Sequence, residues 1–345
     1  MKKGLTLKLI ALFLLAVLGA YVFMLAGKNG FFNRKDHSLP PPKTTLVSTP
    51  SFNADSAFYF LQKQVAFGPR VPNTTAHVNC GNWLDSILRQ SADTVYLQTG
   101  QVTAYDGTKL NFKNIIASFN PETKQRIFLC AHWDTRPFAD QDPDADKRKL
   151  PNDGADDGAS GVAVLIEVAR ALKQQPVKIG LDLILFDVED YGQPDEGVSD
   201  KPDTYCLGSQ YWAKNPHVPN YKAQYGILLD MVGAKGASFP MEAYSQQFAP
   251  SLLRRVWNNG VQLGYSNYFQ FKESKRPVID DHYYIHKIAG FPVINIIHID
   301  PDAQKMFGDY WHTHKDNLSL IDKNTLKAVG QTILQTVYQE DAGVM

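Results

Sequence analysis

Cysteine is nearly missing: Cys80, Cys130 and Cys206 are the three in a chain of 345 residues. That is too few for a disulfide framework, and their spacing suggests no metal knuckle. One bridge with a spare thiol, or three buried free thiols, both remain open. Net charge is missing too, with 35 basic against 35 acidic residues. No basic stripe appears, which argues against nucleic acid as a partner. Internal repeats are absent, and so is the composition of a disordered chain. With 44% hydrophobic residues, the length supports one large domain or two modest ones with ample core.

What is present begins at the N-terminus. Leu9 to Ala26 is an unbroken apolar run of 18 residues behind Lys2, Lys3 and Lys8. As a helix at ~1.5 Å per residue it spans roughly 27 Å, close to the ~30 Å hydrocarbon core of a bilayer. A cleavable signal usually has a shorter apolar region, about 7 to 15 residues. The small residues at its end leave cleavage and secretion open, but the length favours an uncleaved anchor over residues 1–28. The lysines then keep the N-terminus cytoplasmic and send the rest outward, into the periplasm in a Gram-negative cell. No cysteine lies in this segment to carry a lipid. The first 28 residues hold four lysines and no acid, so the remainder carries 31 basic and 35 acidic residues.

Residues 29–52 are rich in Pro, Ser and Thr and read as an extended tether. The folded domain is expected over 53–345, with Asn53 capping a first amphipathic helix. A second helix should cover 76–90. Strands are expected at 94–102, 111–119, 125–131, 181–188, 225–232 and 291–299, and helices near 161–173, 247–260 and 323–339. Helices alternating with buried strands predict an α/β sandwich. The early strands are close enough in sequence for antiparallel pairs, so the sheet should be mixed. Two loop regions, 135–156 and 191–207, are long enough to suggest function.

In such sheets ligands sit outside the carboxyl ends of the strands. There the sequence places one acid or histidine after another. "RIFLCAHWD" ends on His132 and Asp134, "LILFDVED" on Asp187, Glu189 and Asp190, and "YGILLDMVGA" reaches Asp230. "NDGADDGASG" sets Asp156 and Asp157 before a helix. "VIDDH" brings Asp280, Asp281 and His282, and "YWHTHKDN" brings His312 and His314. Any one of these alone reads as a turn former, a helix cap or an interior histidine. Together at one sheet edge they need a cation. Carboxylate and imidazole donors without cysteine suit zinc in an open, catalytic site.

The ordered set "AHWD", "GADDGASGVAVLIEVARAL", "DVED", "LLDMVGA", "DDH" and "WHTHKDNLSLID" resembles the zinc-dependent glutaminyl cyclases, within the superfamily of co-catalytic zinc aminopeptidases. The resemblance covers roughly residues 53–345. It implies a three-layer α/β/α sandwich around a mixed, mostly parallel sheet. It implies one zinc per chain on Asp157, Asp190 and His312, and Glu189 as general acid/base with Asp230 and Asp280 beside it. Trp311 and Phe138 fall on pocket-wall positions. Peptides or proteins with N-terminal glutamine are the implied partners. One departure is Glu189-Asp190, where many members carry two glutamates. Asp187 is left as structural, or as support behind the ligands.

A two-zinc aminopeptidase remains as the alternative, with His132, Asp157, Asp190, Asp230 and His312 as ligands and Glu189 activating a water. Three features favour the cyclase. Seventeen residues separate Asp190 from "GSQYW", where the peptidases have a very short link. Trp311 precedes the metal histidine where they usually carry tyrosine. Asp280 stands where they commonly have serine.

Overall fold

The computed structural model describes residues 45–194 and 203–345. The apolar run at 9–26, the start of the expected tether and part of the second long loop lie outside them. Among the described residues no helix is long and apolar enough to cross a membrane.

The elements follow one another as α1 (Ala54–Val65), α2 (Thr75–Leu88), β1 (Thr94–Thr103), β2 (Lys109–Phe119), β3 (Arg126–His132), α3 (Ala159–Gln174), β4 (Gly180–Phe186) and α4 (Leu207–Lys214). There follow β5 (Gly226–Asp230), β6 (Phe239–Met241), α5 (Ala243–Phe248), α6 (Pro250–Gln262), β7 (Phe269–Glu273), α7 (Asp281–Ala289), β8 (Val293–Ile297) and α8 (Lys323–Asp341). Asn53 caps α1 as expected, its side chain accepting from the Ser56 amide.

Six strands form one sheet in the order β1-β2-β4-β3-β5-β8. β1, β2 and β4 pair antiparallel, while β4, β3, β5 and β8 run parallel. β3 and β4 are buried along their whole length, as a sheet covered on both faces requires. Their side chains alternate between two cores. Ile127, Leu129, Leu183 and Leu185 join α1, α3, α6 and α8 on one face, with Val162, Val256 and Val329 among the partners. Phe128, Cys130, Ile184 and Phe186 join Trp212 of α4 and Ile285 of α7 on the other. The result is the expected three-layer α/β/α sandwich. The three cysteines are buried and unpaired.

Several elements differ from expectation. The helix expected over 247–260 is two helices, because Pro250 starts a new one at its N-terminus, where a missing amide costs nothing. α4, α7 and the small β6–β7 pair are additional. The tether expected through residue 52 is already packed by 45. Gln339 donates to the Thr45 carbonyl, Gln331 donates to Thr49 and Pro50, and Phe52 is buried.

Candidate metal centre and active site

Because β3, β4, β5 and β8 are parallel, their carboxyl ends share one edge of the sheet. The chain visits β4 on one side of β3 and then β5 on the other, and a crevice opens where it reverses. A cavity of about 500 Å³ lies there, lined by Asp157, Glu189, Asp190, Asp230, Asp280 and His312 among others.

Backbone strain turns the strand ends toward this cavity. Val188, Met231 and His312 have φ of 55°, 47° and 54°, a region that costs a non-glycine residue free energy and is concentrated at functional sites. Val188 immediately follows the Asp187 corner, so the chain leaves the sheet there and Glu189 and Asp190 no longer alternate. The Asp134 carboxylate then fixes both: Oδ1 accepts from the Glu189 amide at 3.0 Å and Oδ2 from the Asp190 amide at 3.1 Å. Asp187 points elsewhere, accepting from the Lys113 amide at 2.7 Å and lying 2.8 Å from His77 Nε2. It is structural.

The "ADDGAS" loop divides its two acids in the same way. Asp156 accepts from the Gly233 amide and the Tyr310 hydroxyl. Asp316 accepts from the amides of both Asp156 and Asp157, leaving the Asp157 carboxylate to face the cavity. Gly158 is required here, since a Cβ would lie 2.5 Å from His132 Nε2.

The residues expected to bind metal come together. Asp157, Asp190 and His312 are buried and can offer donor atoms within 4.8 Å of one another. His312 Nε2 lies 3.4 Å from Asp190 Oδ1 and 3.8 Å from Asp157 Oδ2. His132, Asp157 and Asp230 form a second such set, with His132 Nε2 at 3.0 Å from Asp157 and 3.3 Å from Asp230. Asp190 Oδ2, Asp230 Oδ1 and both His132 nitrogens are buried without a hydrogen bond. Native interiors rarely leave such atoms orphaned. Oxygen and imidazole donors in this state fit zinc.

Electrostatics say the same. Burial raises the Asp190 carboxyl above its ordinary range, and neighbouring Asp157 adds to the rise. Burial would raise Asp157 too, but His132 outweighs it and holds that carboxyl low. Burial would push His132 down, yet Asp134, Asp157 and Asp230 lift it well above an ordinary imidazole. Glu189 is pushed well up by burial, with Asp190 and Asp280 adding to the rise and His132 opposing it. Asp230 rises through burial and the Asp280 charge.

Glu189, Asp230 and Asp280 all line the cavity, as does Trp311. Asp280 is steadied by the Asn295 side chain at 2.6 Å and the Asp281 amide. Trp311 stacks on His312 at 3.6 Å between centroids and on Phe307 at 4.5 Å. Glu242, at the start of α5, accepts from the amides of Tyr244, Ser245 and Val278, so it braces Val278 in the cavity wall.

Phe138, expected at the pocket wall, lies with its ring over the Arg136 guanidinium at 4.5 Å, where cation–π attraction holds it. The aromatic at the wall is Tyr205, 5.3 Å from the same guanidinium. Arg136 itself was not anticipated. It is fully buried, paired with Asp140 at 2.6 Å and with Asp190 Oδ1 at 3.3 Å. Asp140 in turn lies 3.2 Å from His312 Nδ1, so one arginine and one aspartate support two of the expected ligands. The signal available was their four-residue spacing in "RPFAD", inside a loop already suspected of function.

Comparison with known proteins agrees with this architecture. A glutaminyl-peptide cyclotransferase of Gloydius blomhoffii is 30% identical over 258 residues, or 66% of this chain. The chain spans 65% of the length of that curated relative. A Zn-dependent exopeptidase from Parabacteroides distasonis is 52% identical with a TM-score of 0.83, over 84% of this chain and 99% of that one. The glutaminyl cyclase of Bacteroides thetaiotaomicron, solved with N-acetylhistamine bound, is 48% identical with a TM-score of 0.82 over the same shares. The model of peptidase family M28 matches residues 114–337, a span from β2 into α8 that contains every strand-end acid and histidine described above. The chain belongs to peptidase family M28.

Proposed function

We propose that this chain is a glutaminyl-peptide cyclotransferase, converting N-terminal glutamine to pyroglutamate with release of ammonia. The observation that carries the reading is the wall of the cavity. Three carboxyl groups, Glu189, Asp230 and Asp280, face one small space closed by Trp311. Only Glu189 among them is adjacent to the expected ligand Asp190 without itself belonging to either histidine-containing set. The relatives described as cyclotransferases and cyclases support the same choice, although the solved relatives include an exopeptidase.

Asp157, Asp190 and His312 would hold one zinc ion, with Arg136 and Asp140 orienting two of the three. Bound there, zinc supplies a Lewis acid beside the glutamine γ-carbonyl. The chain's own groups do the rest. The cavity folds the glutamine so that its α-amine meets its γ-carbon, an intramolecular attack favoured by orientation. A free α-amine has pKa ~7.7–8.0, so a neutral fraction exists near neutral pH. As the new C–N bond forms, Glu189 takes a proton from the attacking nitrogen. As the old C–N bond breaks, it delivers that proton to the leaving nitrogen, which departs as ammonia. A carboxyl held above its usual range by burial is suited to carrying a proton both ways. Asp230 and Asp280 steady it.

The aminopeptidase reading keeps one observation in its favour, the second metal-compatible set of His132, Asp157 and Asp230. Two incubations separate the readings. A peptide beginning with glutamine should lose ammonia and keep every peptide bond, and one beginning with leucine should stay intact. Free amino acid as the main product by mass spectrometry would sink the cyclase. We further propose that residues 1–28 anchor this domain outside the cytoplasm; N-terminal sequencing of membrane-extracted protein should then begin at or near Met1.

A further inference from the structure

The loop that follows Asp190 returns to the site at Cys206, and its return is unusually well fastened. The Cys206 amide donates to the Glu189 carbonyl at 2.8 Å, and the Leu207 amide donates to the Val188 carbonyl at 3.0 Å. The Cys206 thiol then donates to Glu189 Oε1 at 3.0 Å. Cys206 is fully buried and has φ of 59°, a strained conformation for a side-chain-bearing residue. Two residues on, Gly208 lets α4 begin hard against the end of β4, because a Cβ there would meet the Asp187 carbonyl at 2.0 Å. The same segment that brings Tyr205 to the cavity wall thus sets a thiol behind the carboxylate on that wall.

We propose that Cys206 is a positioning residue for Glu189: its thiol holds Oε1 toward α4 and so presents the other carboxylate oxygen, Oε2, to the substrate nitrogen. A glutamate side chain has three rotors, and ordering it costs conformational entropy. Glu189 is only half-buried and borders a cavity of about 500 Å³, so its reach is not fixed by packing alone. Proton transfer needs the carboxylate within hydrogen-bond distance of the reacting nitrogen. The neighbouring acids are held by other means: Asp134 by two backbone amides and Asp280 by Asn295 and an amide. For Glu189 the fastening is the thiol. Among the described residues Cys206 lies in one compact group with Glu189 and Asp280, and neither Cys80 nor Cys130 belongs to such a group.

This inference rests on Glu189 being the proton carrier, and the test separates the two. Steady-state kinetics on a glutamine-initiated peptide would compare Cys206→Ala, Cys206→Gly and Cys206→Ser with Glu189→Gln. Glycine is included because it suits the backbone at this position and so protects the test against a variant that fails to fold. Removing the thiol should lower kcat about threefold to tenfold, the scale of one hydrogen bond, with KM within about twofold. Serine, which keeps a donor, should restore most of the rate, and zinc content and melting temperature should hold in all three. In a Glu189→Gln background, Cys206→Ala should cost nothing further. An inactive Glu189→Gln beside fully active Ala and Gly variants overturns the inference alone. So does a loss that serine fails to restore, or one that persists in the Glu189→Gln background. An active Glu189→Gln overturns the role of Glu189 and this inference with it.

Discussion

The two ends of β4 bury carboxylates in opposite ways. At its amino end Asp182 is fully buried and satisfied, accepting from Ser118 Oγ at 2.6 Å, Arg126 Nη1 at 2.7 Å and the Tyr221 hydroxyl at 2.7 Å. Just beyond its carboxyl end Asp190 keeps Oδ2 without a partner, Asp230 on β5 keeps Oδ1 likewise, and His132 at the end of β3 has neither nitrogen hydrogen-bonded. Six residues separate the satisfied strand residue from the acidic one at the edge of the cavity, Asp182 from Glu189. The first end shows what a carboxylate needs when its task is to hold a sheet together. The second shows atoms kept unsatisfied because something else is to bind them.

The comparison can be broken most decisively at the carboxyl end. Glu189→Gln should lower turnover at least ~10²-fold, the usual scale for a general acid/base, while zinc content stays near that of the parent. Loss of zinc instead would mean that Glu189 and Asp190 have exchanged roles. Alanine at Asp157, Asp190 or His312 should strip most of the metal, read by metal analysis of folded protein. At the amino end the signature reverses. Asp182→Ala leaves Arg126 buried without its carboxylate and should cost roughly 3–5 kcal/mol of stability in a denaturant titration, with activity per folded molecule unchanged.

Glu242 offers a third, pH-dependent contrast. Burial would raise its carboxyl, but His282 and the amides around it outweigh burial and hold it down to about 2. A depressed carboxyl contributes stability above its unfolded pKa and loses it as pH falls through the folded value. The parent should therefore weaken between about pH 4.5 and about 2, and Glu242→Gln should be less stable at neutral pH and flatter over that interval. Melting curves across the range would show it; parallel curves for the two proteins would refute it. The smallest effect expected is at Asp190 in metal-free protein. Its carboxyl is raised by burial, so its charged form costs stability at neutral pH. Asp190→Asn should then melt slightly higher than the chelated parent, because the neutral amide escapes the cost of burying a charge. The same change at Asp182 should have the opposite sign.

The parts of this fold that were legible in sequence are those whose signal is local. β3 and β4 read as unbroken apolar runs because both of their faces are covered, and the acids that stop them are visible as soon as the run ends. Asp157, Asp190, His312, Glu189, Asp230 and Asp280 stand in strand-end and loop motifs of this kind, whereas Trp311 followed only from the family resemblance, and all seven border one cavity. Arg136, Asp140, Asp316 and Cys206 were not, because what each does depends on a partner brought close only by the fold. Asp316 meets the Asp156 amide from 160 positions away in the chain. The contact of Phe138 with Arg136 was hidden for the same reason, since Arg136 is placed by its pairing with Asp140 and Asp190. α4 has eight residues and α7 nine, so neither carries enough turns for a periodic pattern to stand out.

The packing of Phe52 bears on the order in which the ribosome makes this chain. Phe52 lies so close to Gly330 of α8 that a Cβ there would sit 2.2 Å from its ring. Gln331 holds Thr49 and Pro50, and α8 also packs between α1, α3 and α6. Residues 49–52 therefore find these partners only when α8 has emerged. Until α8 has emerged, the part of this face that it covers beside α1, α3 and α6 stays open. Removing α8 should therefore be felt first at the edge it holds, at Thr49, Pro50 and Phe52.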